Sequence, residues 1–188
     1  MLFVLSGPSG VGKDRLLRES IPLMSNVQRC VTTTTRLPRE GERDGVDYWF
    51  VGISEFERMV QADEFLECAQ VHGNLYGVRR GHVEEALETG KDVILLIDVQ
   101  GAAAVTKWRP EAAMIFLIPP SIEELERRLR ERETESEEEI TKRLMDARSE
   151  LARIEEFDYL LVNDNLEEAA KELAAIVTAE RCKIERSG

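Results

Sequence analysis

The stretch Gly7-Pro8-Ser9-Gly10-Val11-Gly12-Lys13 decides the reading of this chain. It follows the apolar run Leu2-Phe3-Val4-Leu5 and precedes a helical segment over residues 15–23. Strand, glycine-rich turn and helix are the setting in which this pattern cradles phosphate. Glycines let the backbone turn tightly and approach an anion. The turn's N–H groups then point inward, and the helix N-terminus adds positive partial charge. Lys13 reaches the terminal phosphates. The pattern calls for Ser or Thr after the lysine, to put a hydroxyl on magnesium, but this chain has Asp14. Two readings of Asp14 stand open. A carboxylate is a hard oxygen ligand for Mg²⁺, and Asp is also favoured where a helix starts.

Working outward, 188 residues suit one domain with inserted lobes and a real core. The net charge of −12 opposes general nucleic-acid binding, which depends on Lys and Arg neutralising phosphates. No apolar run approaches a membrane span and no leader pattern opens the chain, so a cytoplasmic protein is expected. Cys30, Cys68 and Cys182 form no C-x-x-C pair and read as reduced thiols. With only His72 and His82, a structural zinc site is not expected.

Alternation of strands and helices predicts an α/β fold with a parallel sheet flanked by helices. Its strands fall at residues 1–6, 27–31, 92–97, 113–118 and 159–162. The run Asp92-Val93-Ile94-Leu95-Leu96-Ile97 is continuous in the way of a strand buried on both faces. Helices are expected to about residue 24, over 79–89, 102–108 and 121–130, to about 156, and over 166–185. Ser121 with Glu124, and Ser54 with Glu57, read as capping boxes. Residues 32–80 change character, with strands at 47–51, 65–71 and 75–77 and a helix through 60, and read as an inserted β-rich lobe. The core then comprises 1–31, 81–124 and 149–188. Residues 125–148 read either as two solvated helices or as a mobile lid carrying Arg128, Arg132 and Arg143.

Phosphoryl transfer needs clamps on the donor phosphates, cations over the transferred group, and an acceptor held in line. Lys13 and its loop supply the first, and the basic residues of the helical segment the second. Arg36 and Arg39 make an acceptor-phosphate site to which Tyr48 and Tyr76 add hydroxyls. Glu67, a carboxylate inside the apolar run Phe65-Leu66-Glu67-Cys68-Ala69, reads either as a solvent-facing residue or, in a nucleotide lobe, as an acceptor for guanine's N1–H and N2–H₂.

The blocks Thr33-Thr34-Thr35-Arg36-Leu37-Pro38-Arg39-Glu40-Gly41-Glu42, Gly45-Val46-Asp47-Tyr48, Gly73-Asn74-Leu75-Tyr76-Gly77, Ile97-Asp98-Val99-Gln100-Gly101 and Val162-Asn163-Asp164 sit beside the phosphate loop. With them the chain resembles the guanylate kinases, phosphate-loop nucleoside monophosphate kinases, to about residue 175. The resemblance implies a nucleotide-binding lobe and a lid, and the reaction ATP + GMP (or dGMP) → ADP + GDP with Mg²⁺, by a monomer or homodimer. It puts ATP contacts on Gly7, Pro8, Ser9, Gly10, Val11, Gly12, Lys13, Asp14, Arg128 and Asn163. GMP contacts fall on Thr32, Arg36, Arg39, Tyr48, Glu67, Tyr76 and Asp98, and catalysis on Lys13, Arg132 and Arg143. Asp14 is the implied metal ligand. The chain departs from the family pattern at Val78, Leu96, Glu133, Asp14 and Arg15. The Lys13-Asp14 pair also resembles ribose 1,5-bisphosphate phosphokinases, and a non-catalytic guanylate-kinase-like binding module is the remaining alternative.

Overall fold

The structure is a computed structural model that describes residues 1–71, 73–131 and 137–184. Its centre is a five-stranded parallel sheet in the order β2-β7-β1-β8-β9, where β1 is Leu2–Ser6, β2 Val27–Arg29, β7 Asp92–Leu96, β8 Ala113–Ile118 and β9 Tyr159–Val162. Leu2 pairs with Val93 on one side of β1, and Phe3 with Ala113 on the other. All five residues of β1 are buried, because helices cover both faces. Phe3, Leu5, Ile94, Ile115 and Leu117 join Leu16, Leu173 and Val177 in one apolar layer; Val4, Val93, Leu95 and Met114 join Val83 and Val105 in the other. Each such side chain stabilises the fold by about 1.5–3 kcal/mol. The helices are α1 (Lys13–Ser20), α3 (Arg80–Glu88), α4 (Val99–Trp108) and α7 (Leu166–Arg181).

From β1 the chain next enters this sheet at β2, beyond β7 on one side, whereas the adjacent β8 is followed by β9 on the other side. This is a topological switch point, and in such sheets ligands bind outside the carboxyl ends of the strands there. The phosphate loop occupies that place.

A second, four-stranded sheet lies within residues 33–79 in the order β4-β3-β6-β5: β3 is Thr33–Thr34, β4 Trp49–Phe50, β5 Phe65–Val71 and β6 Asn74–Arg79. Helix α2 (Ile53–Gln61) packs Phe56 and Met59 on Phe65, with the Phe56 and Phe65 rings stacked 4.5 Å apart. Helices α5 (Ile122–Arg130) and α6 (Glu137–Leu151) pack together through Leu125, Leu129, Leu144 and Ala147. No described helix is long and apolar enough to cross a membrane.

Several boundaries differ from expectation. The first helix ends at Ser20 and continues as the short 3₁₀ turn Ile21–Leu23, because Pro22 has no N–H for an α-helical bond. Ser54 is not a cap; the N-cap of α2 is Gly52, two residues earlier, with no side-chain cap bond. Ser121 does cap α5, accepting from Glu124 N–H at 3.1 Å. Helix α4 starts three residues before the expected Ala102, since Asp98 caps it. Helix α6 stops at Leu151, and residues 154–156 form a separate 3₁₀ turn. Val78, at one family departure, is buried in the core beside Cys30 and Ala102, and Leu96 packs against the opposite layer.

Candidate active site

The loop from Gly7 to Lys13 is held by backbone geometry. Gly7 has φ +140°, and a Cβ there would sit 2.1 Å from the Leu117 carbonyl oxygen of β8, so no other residue fits. Lys13 opens α1, and its ammonium donates to the Gly7 carbonyl and, at 3.2 Å, to the Pro8 carbonyl. Burial pulls its pKa below the usual lysine value, while the charges of Glu150, Asp14 and Asp98 pull it up. Asn163 is buried and donates to the Val11 carbonyl at 2.7 Å. It braces the loop from the end of β9.

Asp14 does not cap α1. The N-cap is Gly12, with no side-chain bond, and Asp14 is the second helical residue. Its exposed carboxylate instead pairs with Arg29, the last residue of β2, at 3.0 Å.

In the second sheet and its loops, three predicted acceptor residues, Arg36, Tyr48 and Tyr76, come together. Arg36 donates twice to Glu42, at 2.8 and 2.9 Å. Glu42 also accepts from the Arg39 N–H at 2.8 Å, and the Arg36 bonds hold its carboxyl below the usual range. The Tyr48 ring lies 5.3 Å from the Arg36 guanidinium carbon and 6.2 Å from the Tyr76 ring. Burial pushes the Tyr48 phenol up, and the charge of Asp14 adds to the shift. Arg39 is exposed and joins this group through its backbone, while Thr32 is buried and its carbonyl accepts from Trp49 N–H at 2.9 Å.

Glu67 sits where the second sheet meets the core. The pairing of β5 with β6 slips between Phe65 and Glu67, an irregularity of the kind that re-aims a side chain. The Glu67 side chain lies directly over Gly101, where a Cβ would meet its Cγ at 2.8 Å and its Oε2 at 3.0 Å. Asp98 accepts from the N–H groups of Gln100 and Gly101 at 2.9 and 2.8 Å. Burial pushes the Glu67 carboxyl up to about 7, with the Asp98 charge adding to the effect. Asp98 therefore raises both pKa values, favouring the neutral form of Glu67 and the charged form of Lys13.

The helical pair reaches the loop from above. Arg143 donates to the Ser9 hydroxyl at 3.5 Å. Arg128 donates to the Asn163 carbonyl at 2.9 Å and to Glu124 at 2.7 Å. Arg132 and Glu133 lie outside the described residues.

Two charged residues near the loop carried no sequence signal. One is Arg29. The other is Glu150 on α6, which has a buried Oε2 without a hydrogen-bond partner. Burial raises its carboxyl to about 7 against the attraction of Lys13. Among the described residues no three His, Cys, Asp or Glu are grouped to hold a metal ion. The acidic charge acting on Lys13 is spread over Asp14, Asp98 and Glu150. This arrangement suits a cation carried in by phosphates and met by one or two carboxylates more than one held in an all-protein cage.

A phosphate loop at the switch point of a parallel sheet, facing a second basic and aromatic cluster, defines a phosphate-loop phosphotransferase. The guanylate kinase family model matches residues 1–180. A guanylate kinase of Carboxydothermus hydrogenoformans is 48% identical over 186 residues, covering 99% of this chain and 91% of that protein. One of Desulfitobacterium hafniense is 45% identical, covering 99% and 93%. The crystal structure of guanylate kinase from Anaplasma phagocytophilum superposes with a TM-score of 0.76 at 38% identity, over 97% of this chain and 87% of that one. The chain belongs to the guanylate kinase family.

Proposed function

We propose that this chain transfers the γ-phosphoryl group of ATP to GMP or dGMP, giving ADP and the guanosine diphosphate, in cytoplasmic purine nucleotide metabolism. The observation that carries the reading is the seating of the Glu67 side chain over Gly101, whose N–H bonds Asp98 at the start of α4, with the Asp98 charge acting also on the loop lysine. A donor-phosphate site and a carboxylate suited to guanine thus lie within one electrostatic environment.

In this reading the loop N–H groups and Lys13 hold the donor phosphates, and Lys13 exchanges its loop carbonyls for phosphate oxygens. Arg36, Arg39, Tyr48 and Tyr76 bind the acceptor phosphate. The ionised Glu67 accepts from guanine N1–H and N2–H₂, with Thr32 and Asp98 completing the base site. Arg143, already at Ser9, comes over the transferred group with Arg132 and Arg128, where cations stabilise charge that develops in the transition state. Asn163 acts on the ATP side by fixing the loop. Mg²⁺ brought in with ATP would supply charge neutralisation at the donor phosphates; Asp98 and Glu150, whose charges act on the loop lysine, are the carboxylates that would meet it or its waters.

The test is ADP release with GMP, AMP, UMP and ribose 1,5-bisphosphate as acceptors. Rapid release is expected with GMP and little with the others. Release fastest with ribose 1,5-bisphosphate, or with none of them, would replace this reading by one of its alternatives.

A further inference from the structure

The ion pair between Asp14 and Arg29 joins two parts of the molecule that the catalytic reading treats separately. Arg29 ends β2 at the carboxyl edge of the core sheet, the edge that carries the phosphate loop. One end of its guanidinium meets Asp14 on α1 at 3.0 Å. Its central carbon lies 5.8 Å from the centre of the Tyr48 ring, within range of a cation–π contact. Tyr48 in turn faces Arg36 at 5.3 Å and Tyr76 at 6.2 Å. The side chains form a continuous run from the second residue of the donor-loop helix to the acceptor cluster.

We propose that Arg29 is a positioning residue for the acceptor phosphate: Asp14 aims its guanidinium, and the guanidinium sets the Tyr48 ring. The inference rests on the reading of Tyr48 as an acceptor contact. The pair itself adds little stability, because Asp14 is 60% exposed and ion pairs of this kind are screened by solvent. Its effect is geometric. A planar guanidinium can meet a carboxylate edge-on and an aromatic ring face-on together, which an ammonium does less well. The arrangement also gives Asp14 a role other than metal ligation. A carboxylate in the donor loop is balanced by a cation from the neighbouring strand.

The experiment measures kcat, KM for GMP, KM for ATP and the Mg²⁺ dependence in Arg29→Ala, Arg29→Lys, Asp14→Asn, the Asp14→Asn/Arg29→Ala double variant and Tyr48→Phe, with thermal melts to confirm folding. Arg29→Ala is expected to raise KM for GMP about fivefold while KM for ATP changes less than about twofold, a coupling of the usual size for contacting residues. Asp14→Asn reproduces most of that rise with an unchanged Mg²⁺ requirement. The double variant is no worse than Arg29→Ala, and Arg29→Lys restores only part of the loss. Unchanged KM for GMP in Arg29→Ala, with Tyr48→Phe impaired, overturns the positioning role alone. Effects that multiply in the double variant, or a raised Mg²⁺ requirement in Asp14→Asn without a change in GMP use, overturn it in favour of independent or metal-binding roles. Normal GMP use in Tyr48→Phe overturns the acceptor assignment of Tyr48 and the positioning role with it.

Discussion

In the five-stranded sheet every residue of β1 is buried, and the loop that leaves it is shaped by φ angles and by the approach of β8 to Gly7. In the four-stranded sheet β3 and β4 span two residues each. The acceptor cluster there stands on side-chain bonds such as Arg36 to Glu42, and Thr34 Oγ1 donating to the Leu75 carbonyl at 3.0 Å. The proposed donor site is a property of a packed backbone, whereas the proposed acceptor site is a property of side chains on a thin sheet. The first tolerates no change of shape; the second can be altered one contact at a time. Binding ATP needs a generic polyphosphate cradle, and choosing one nucleotide acceptor needs exchangeable functional groups.

Substitutions should separate the two halves. The largest effect is expected in Lys13→Ala, which removes the one loop group that carries full charge. Turnover should fall by a factor of about 10²–10³ or more, with an unchanged melting temperature, since the ammonium bonds only loop carbonyls. Turnover near wild type in a folded Lys13→Ala would remove the loop from the mechanism. Gly7→Ala should damage both activity and fold. The added methyl meets a backbone oxygen that belongs to β8, and the expected loss is about 3 kcal/mol of stability, typical of core overpacking and backbone strain combined. A melt within a degree of wild type would show that the loop is looser than its geometry implies. Glu42→Gln should leave the melt unchanged but raise KM for GMP about tenfold, because the Arg36 Nη2 group loses its charged acceptor. Equal losses for GMP and ATP would mean that Glu42 supports the fold as a whole.

An effect of at most the same size concerns pH. With the Glu67 carboxyl at about 7, the free protein holds a proton there over part of the neutral range. Guanine's two donors require the carboxylate, so binding GMP releases that proton and becomes stronger as pH rises from 6 to 8, by up to about tenfold for one group. The GMP phosphate also titrates near 6, and Glu67→Gln isolates its share of the slope. Without ligand the sign is opposite. The carboxyls of Glu67 and Glu150, both raised to about 7, contribute stability that is full below their unfolded values and is lost as pH rises through 7.

Much of this was legible in the sequence where the signal was local. The glycine pattern after Leu2-Phe3-Val4-Leu5, the limits of β5 and β8, and the cap at Ser121 all follow from neighbouring residues. Ser54 and Glu57 show that a local pattern can be complete and unused, since the preceding Gly52 already begins the helix. Asp98-Val99-Gln100-Gly101 reads as a strand end, yet the Asp98 carboxylate turns the next residues into a helix and brings Gly101 under Glu67. Arg29 and Glu150 were silent because their partners are brought in by the fold. Arg29 meets a helix from across the loop, and Glu150 feels Lys13 from a helix more than a hundred residues later in the chain.

The central claim is that Glu67 selects the base. Guanine presents N1–H and N2–H₂ as donors, whereas adenine presents an N1 lone pair, which a carboxylate repels. Glu67→Gln keeps the shape and replaces one acceptor by a donor, and pairings of this kind discriminate by about 1–3 kcal/mol, more when a buried polar group is left unpaired. The direct measurement is kcat/KM for GMP, IMP and AMP in both proteins, with KM for ATP as the internal control. The account predicts that wild type prefers GMP over AMP by a wide margin, that IMP, lacking the 2-amino group, falls between them, and that Glu67→Gln loses GMP use by tenfold or more with KM for ATP unchanged. Wild-type use of AMP equal to GMP, or GMP use untouched in Glu67→Gln, would contradict it.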